Sequence, residues 1–194
     1  MVFRRGSTRR EGGRPQRAQV PRTLRYLRDY AERLRADGLD AVRPHLRPVL
    51  VGAGMKGQLE DTPKRRRRTH AMEPHGPGEH IAVQSLLDRV WPLRPSEHAL
   101  DDRFISVGHA HDADVVIPDY SLSSLHAAFT IARPMAITDL RSLNGTHVND
   151  EPVAPRTFTT LHDGDRVRLG RLVMRYHDGR GFLDALRTMA ARLS

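Results

Sequence analysis

The C-terminal half of the sequence predicts an antiparallel β-sandwich, and three observations support that fold class. Short apolar or alternating segments recur between residues 91 and 176. Turn-forming pairs such as Asn144-Gly145 and Asp163-Gly164 separate these segments, and no helical pattern lies between them. Only 38% of the residues are hydrophobic and 5% aromatic, so a packed core is expected in part of the chain alone.

Seven segments have the length and the β-branched or aromatic content of short strands. Other turn pairs, Pro118-Asp119 and Asn149-Asp150, lie between them. The predicted strands are Trp91 to Arg94, Phe104 to Val107, Val115 to Ile117, Ala127 to Ile131, Ala136 to Leu140, Arg166 to Leu169 and Leu172 to Tyr176. A short helix is predicted at the C-terminus, within residues 181–194, because apolar residues from Phe182 to Leu193 recur at helical spacing.

The N-terminal half is predicted to be partly helical and largely disordered. Residues 1–22 form a basic arm, and residues 23–50 hold a helix from about Thr23, its cap, to Asp37, with a short second turn after Gly38. Residues 51–80 are predicted as a low-complexity basic linker. The sandwich domain is assigned to residues 81–180, begins with a short helix to Val90, and is expected to fold without the preceding residues.

Charge is unevenly distributed along the chain, whose net charge is +9. Residues 1–96 hold 21 Lys and Arg against 10 Asp and Glu, whereas residues 97–194 hold 11 against 13. The absence of Cys excludes disulfides, thiolate metal sites and cysteine nucleophiles. No apolar run approaches the roughly 20 residues that span a bilayer, and the N-terminus lacks a signal-peptide pattern. A cytoplasmic protein without a membrane segment is therefore expected.

Three groups of motifs in the C-terminal half resemble one family. The first comprises Gly108-His109, Asp114 to Asp119, and Ser121 to Ala127; the second is Asp139 to Asn149, and the third is Leu161 to Gly170. In their order and spacing they resemble the forkhead-associated (FHA) domain. The resemblance covers about residues 91–176 and says nothing about residues 1–90.

The resemblance implies a sandwich of two antiparallel sheets whose loops bind phosphothreonine in a partner protein. It also implies roles for individual residues. Ser123 and Ser124 would donate hydroxyls to the phosphate, and Asn144 would hold the peptide backbone. His126 would brace the serine loop, and the other structural motif residues are Gly108, Gly145 and Thr146.

His109 departs from the family pattern, which has an Arg directly after the glycine. An Arg gives phosphate a permanent charge and a planar fork of donors. A His offers one donor at a time, and imidazole has a reference pKa of about 6.5. Phosphate recognition that involves His109, Ser123, Ser124 and Asn144 is therefore expected to be weaker than in the rest of the family.

Other kinds of site fit the sequence less well. The spacing of His109, His111 and Asp112 is loose for a metal site, and none is predicted. Ser123 and His126 lack the Gly-x-Ser-x-Gly pattern that would mark a nucleophile and its base. A run of five cations is compatible with weak, salt-sensitive binding of nucleic acid, although it contains no interleaved aromatic residues. The run comprises Lys64, Arg65, Arg66, Arg67 and Arg68.

Together these observations predict a non-enzymatic interaction module, a signalling adaptor without a cofactor. Its expected partner is a threonine-phosphorylated protein or a kinase. Two alternatives remain open: a degenerate FHA scaffold that binds partners independently of phosphate, and a nucleic-acid-associated regulator that uses the basic N-terminal arm.

Overall fold

The computed structural model of the chain describes residues 24–56, 83–97 and 103–193. The predicted arm of residues 1–22, the cationic run of residues 64–68 and the rest of residues 57–80 lie outside these ranges. Within them, none of the helices is long and apolar enough to cross a membrane.

The described residues form four α-helices, one 3-10 helix and eleven strands. The helices are α1 (Leu27–Asp37), α2 (Leu39–Val42), the 3-10 helix (Arg43–His45), α3 (Val83–Leu86) and α4 (Gly179–Arg192). The strands are β1 (Val49–Met55), β2 (Val90–Pro92), β3 (Phe104–Gly108), β4 (Val115–Val116), β5 (Ala127–Thr130), β6 (Ala136–Asp139), β7 (Thr146–Val148), β8 (Glu151–Pro152), β9 (Thr159–Thr160), β10 (Arg166–Leu169) and β11 (Leu172–His177).

The strands form two sheets, as the sequence predicts. Within the described ranges, one sheet has six strands in the order β2-β1-β11-β10-β7-β8, and the other has five in the order β4-β3-β5-β6-β9. Neighbouring strands of the described ranges pair antiparallel except β3 with β4, which pair in parallel. Inward-facing residues of both sheets, among them Leu50, Phe129, Ile137 and Met174, share one core. Burying alternate residues of each strand in this way is what holds two sheets face to face.

Strand β1 was not expected from the sequence, and it corrects the start of the predicted linker at residue 51. Residues 49–55 pair on one side with β2 and on the other with β11, with a bulge between Gly52 and Gly54. Leu50 is fully buried in the sandwich core. The prediction of a sandwich domain that begins at residue 81 leaves this central strand out. Gly52 and Gly54 interrupt the apolar pattern of the segment, so the strand was not recognised in the sequence.

The helices cover part of the outer face of the six-stranded sheet. A second core joins Leu27 and Tyr30 of α1 and Phe182 and Leu186 of α4 to the outward side chains of β1 and β2, which are Val49, Val51 and Val90. Helix α1 begins four residues later than predicted, and the Asp29 carboxylate accepts the Tyr26 amide 3.0 Å away. The predicted cap, Thr23, lies outside the described residues. Gly38 ends the helix with a φ of +79°, as expected for a glycine stop.

Candidate functional site

Three loops meet at one end of the sandwich, and they carry the site residues that the sequence singles out. The first loop follows β3 and contains His109, the second leads into β5 and contains Ser123 and Ser124, and the third joins β6 to β7 and contains Asn144. Each loop is hydrogen-bonded to another. A rigid sandwich therefore holds several short polar side chains close together.

Gly108 is required where the first two loops touch. A Cβ atom at Gly108 would lie 1.9 Å from the carbonyl oxygen of Ser124, far inside van der Waals contact. With no side chain there, the His109 and Ala110 amides reach the Ser123 and Ser124 carbonyls, each at 3.2 Å. Gly108 thus fixes the position of His109 relative to the serines.

His126 is fully buried and connects the second and third loops. Its Nδ1 accepts the Ser123 amide at 3.1 Å, so its Nε2 carries the proton and donates to the Gly145 carbonyl at 3.2 Å. Burial lowers the pKa of His126, which keeps the imidazole in this neutral form. The ring contacts backbone groups and not the Ser123 hydroxyl, an arrangement that differs from that of a base and its nucleophile.

The Ser123 hydroxyl oxygen accepts the Leu143 amide at 3.0 Å. This contact ties the second loop to the third and leaves the hydroxyl proton to donate elsewhere. Ser123 is partly exposed and Ser124 is exposed. Both hydroxyls therefore lie at a surface that a ligand can reach.

Asn144 donates one amide N–H to the Ser121 carbonyl at 2.8 Å. Since a side-chain amide has two N–H donors and one carbonyl acceptor, its remaining N–H and its carbonyl oxygen suit a peptide backbone. Gly145 follows with a φ of +74°, a left-handed conformation that favours glycine. The third loop therefore presents Asn144 at a tight turn.

Asp139, the last residue of β6, stabilises the third loop through hydrogen bonds. Its carboxylate accepts the Ser142 amide and hydroxyl, at 3.0 and 2.6 Å, and the hydroxyl of buried Thr146 at 2.7 Å. Burial alone would raise the pKa of Asp139, but the hydrogen bonds from Ser142 and Thr146 outweigh it and hold the pKa below its usual value. Asp139 therefore stays charged and keeps the loop closed.

His109 is exposed, and its Nδ1 lies 2.9 Å from the Leu122 carbonyl oxygen. A carbonyl oxygen can only accept, so Nδ1 carries the proton. The neutral ring then has an unprotonated Nε2, which is itself an acceptor. His109 can donate from Nε2 to an anion only after it takes up a second proton.

A buried ion pair anchors the second loop to the β10–β11 turn. Asp119 is 1% exposed, and its Oδ2 lies 2.6 Å from Nη2 of Arg171, whose Nε also donates to the same carboxylate. The Arg171 guanidinium lies 4.5 Å from the centroid of the Tyr120 ring. Hydrogen bonds from Arg171 and Ser121 hold the pKa of Asp119 below its usual value in spite of burial. The pair keeps the serine-bearing loop against the sheet.

Sequence reasoning did not assign roles to Asp119, Arg171 or Asp139, nor to the exposed apolar side chains beside the serines. Leu143 is 81% exposed although its backbone amide contacts Ser123. A leucine within a polar turn, between Ser142 and Asn144, is the signal that could have identified it. Arg171 is far from Asp119 in the sequence, so their pairing carries no local signal.

Among the described residues, no three His, Cys, Asp or Glu side chains gather as a metal site would require. His109, His111 and Asp112 are all exposed.

Comparison with known proteins gives a consistent result. Residues 105–170 match the family model described as FHA domain. The chain is similar to the glycogen accumulation regulator GarA of Mycobacterium tuberculosis, with 36% identity over 81 residues, 41% of this chain and 48% of GarA. It is also similar to the oxoglutarate dehydrogenase inhibitor of Corynebacterium jeikeium, with 30% identity over 89 residues, 45% of this chain and 60% of that protein. The chain thus spans about half the length of these curated relatives.

A match was also found to the solved structure of EmbR of Mycobacterium tuberculosis in complex with a low affinity phosphopeptide. It is 30% identical to this chain, with a TM-score of 0.39, and the match covers 47% of this chain and 22% of EmbR.

Proposed function

Because residues 105–170 of this chain form an FHA domain, we propose that the protein is a non-enzymatic interaction module that recognises phosphothreonine in a partner protein. The observation that carries the proposal is the convergence of Ser123, Asn144 and His109 on three hydrogen-bonded loops. The regulatory names of the two relatives, a glycogen accumulation regulator and an oxoglutarate dehydrogenase inhibitor, support a signalling role of this kind.

The chemistry of the site suits a phosphate. A phosphothreonine has a charge of about −1.5 to −2 at pH 7 and three strong acceptor oxygens. The hydroxyls of Ser123 and Ser124 would each donate to one oxygen, and protonated His109 would donate from Nε2 and add a positive charge. Hydrogen bonds to a charged group contribute about 1.5–3 kcal/mol each, so two or three of them are enough for selective binding.

Asn144 would recognise the peptide, not the phosphate. Its free N–H and carbonyl oxygen match one C=O and one N–H of an extended backbone, which makes this contact independent of the peptide's side chains. Selectivity for phosphothreonine then comes from the serines and His109, and general affinity for an extended peptide comes from Asn144.

The replacement of the family's arginine by His109 implies that phosphate binding here is coupled to proton uptake. An arginine would offer two parallel donors at any physiological pH. His109 has one donor, and that donor requires the imidazolium form because Leu122 already occupies Nδ1.

A binding titration tests the proposal. The full chain is mixed with a degenerate phosphothreonine peptide library and with the same library unphosphorylated, and binding is followed by fluorescence anisotropy at pH 6.5. We expect binding to the phosphorylated library only. Equal binding to both libraries would instead support a scaffold that works independently of phosphate.

A further inference from the structure

A cluster of cations lies on the outer face of the six-stranded sheet, on β10 and just after the end of β1, at positions that take no part in the second core. Lys56, Arg166 and Arg168 line a cavity of about 380 Å³, together with Asp150, Met55 and Val173. A water molecule in the liquid occupies about 30 Å³, so the cavity has room for a carboxylate or phosphate group and several waters.

The charges in this cluster do not cancel. Asp150 is the one carboxylate among the lining residues; it is paired with Arg166, and its Oδ1 lies 3.9 Å from Nζ of Lys56. Three cations against one carboxylate leave two positive charges. Arg166 and Arg168 belong to β10, Asp150 lies in the turn between β7 and β8, and Lys56 directly follows β1. The six-stranded sheet therefore holds the four charges near one another.

Two polar atoms at this face have no hydrogen-bond partner among the described residues. They are Nε of Arg168 and Nδ1 of His147, and both are buried. The Arg168 guanidinium uses Nη1 to donate to the Gly170 carbonyl at 2.8 Å, which leaves its Nε–H unsatisfied. An unpaired buried donor costs about 1–3 kcal/mol.

His147 belongs to the same cluster. Burial lowers the pKa of His147, and the positive charges of Arg168 and Lys56 lower it further, so the ring is neutral and adds no charge to the cluster. His147 pairs with Arg168 across β7 and β10, and Arg168 pairs with Val173 across β10 and β11.

The cluster is continuous with the loops of the candidate phosphate site. A Cβ atom built on Gly145 would lie 3.4 Å from Cε1 of His147, so the Asn144-Gly145 turn contacts the edge of the cluster. The Gly145 carbonyl also accepts the Gly170 amide at 3.1 Å. A peptide that lies across Asn144 therefore has cations directly beside one of its ends.

We propose that the cluster formed by Lys56, Arg166, Arg168 and His147 binds acidic side chains of the same partner peptide that carries the phosphothreonine. The placement of the peptide rests on the proposed function, whereas the affinity of the cluster for anions does not. Charge complementarity is the reason for an acidic segment, because two net positive charges attract it.

Three peptides test the inference by fluorescence anisotropy with the full chain. One carries phosphothreonine between neutral residues, and the others add three glutamates before or after the phosphothreonine. The variants are Lys56→Gln and Arg168→Gln. Arg187→Gln is the matched control, because it removes one positive charge from an exposed side chain on α4. Measurements at 0.1 and 1 M salt compare Debye lengths of about 10 and 3 Å.

We expect one glutamate peptide to bind about three- to tenfold more tightly than the neutral one at 0.1 M salt, which is the scale of a few partly exposed ion pairs. Lys56→Gln and Arg168→Gln should remove most of this advantage, and Arg187→Gln should keep it. Equal affinities for all three peptides would overturn the inference. So would an acidic preference that all three variants reduce equally, since that pattern reflects net charge alone.

A separate measurement keeps this result distinct from the proposed function. If the neutral phosphopeptide fails to bind, phosphothreonine recognition is refuted, and the cluster is then tested with an unphosphorylated glutamate peptide by NMR. Shifts of the His147 and Arg168 amides would support an anion site in its own right. Unchanged amide shifts would overturn the inference as well.

Discussion

The Nδ1 atom of His109 lies 2.9 Å from the carbonyl oxygen of Leu122, and this contact determines which protonation state of the ring can bind an anion. With Nδ1–H committed to the carbonyl, the neutral ring has a lone pair on Nε2. Two acceptors repel each other, so a phosphate oxygen gains a hydrogen bond only from the imidazolium.

Phosphopeptide affinity should therefore rise as the pH falls from about 8 to about 6.5, because only the imidazolium form of His109 donates from Nε2 to a phosphate oxygen. Below that range the gain should level off, because the second pKa of a phosphate is about 6 and its charge declines. Anisotropy titrations at five pH values measure the profile. A flat profile between pH 8 and pH 6.5 would show that His109 does not contact the phosphate.

His109→Arg should strengthen phosphothreonine binding by about 1.5–3 kcal/mol, roughly 10- to 150-fold, because it supplies a permanent charge and a two-donor fork. The rise in affinity between pH 8 and pH 6.5 should disappear in this variant. His111→Arg is the matched control, since it adds the same charge in the same exposed loop. Equal gains from both variants would mean that only the overall charge matters.

Ser123→Ala should weaken phosphopeptide binding by about 1.5–3 kcal/mol, the scale of a hydrogen bond to a charged group. The substitution also removes the acceptor of the Leu143 amide, so the free energy of unfolding is measured in parallel. Ser85→Ala, at an exposed position of α3, serves as the control. Unchanged affinity in Ser123→Ala would place the phosphate elsewhere.

Asp119→Asn should lower the free energy of unfolding by about 3–5 kcal/mol, because it leaves the Arg171 guanidinium without its buried counter-charge. Arg187→Gln removes one side of the exposed Asp184–Arg187 pair and should cost under about 1 kcal/mol. Urea denaturation measures both. A similar small loss in the two variants would show that the Asp119–Arg171 pair is not effectively buried.

Acid should destabilise the fold by protonating hydrogen-bonded aspartate carboxylates. The pKa values of Asp114, Asp119 and Asp139 are lowered in the folded protein, so the unfolded chain binds more protons over the window between the two values. These carboxylates contribute fully to the free energy of unfolding above their pKa in the unfolded chain, which is about 3.9. The contribution is lost as the pH falls through their lower pKa values in the folded protein. Thermal melts from pH 6 to pH 2 should show this loss, and Asp119→Asn should reduce it.

A chain that starts at residue 81 should fail to unfold cooperatively, whereas a chain that starts at residue 24 should behave like the full protein. Residues 24–56 supply β1, whose side chains Val49 and Leu50 are almost fully buried and contribute about 1.5–3 kcal/mol each. Without β1, both β2 and β11 also lose a hydrogen-bonded neighbour. Circular dichroism melts compare the two chains. A cooperative transition for residues 81–194 would show that β1 is dispensable.

The sequence predicts the sandwich and its strands well wherever the signal is local. A short apolar run identifies Ala127–Thr130, alternation identifies Leu172–His177, and glycine or asparagine pairs mark the turns. The same approach misses β1, because Gly52 and Gly54 interrupt its apolar pattern. It also misses β7, β8 and β9, which are two or three residues long and owe their conformation to the strands beside them.

The sequence by itself determined the class of fold and predicted site residues such as His109, Ser123 and Asn144, because both depend on residue types at fixed local spacing. The tertiary structure alone decided which atoms of those residues are available. It brings Leu122 to Nδ1 of His109 and Arg171 to Asp119. It also places the charges of Lys56 and Arg168 where they add to burial in lowering the pKa of His147, although these residues lie 13 to more than 90 positions from their partners in the sequence. Such pairings follow from strand order and burial, and no local pattern in the chain records them.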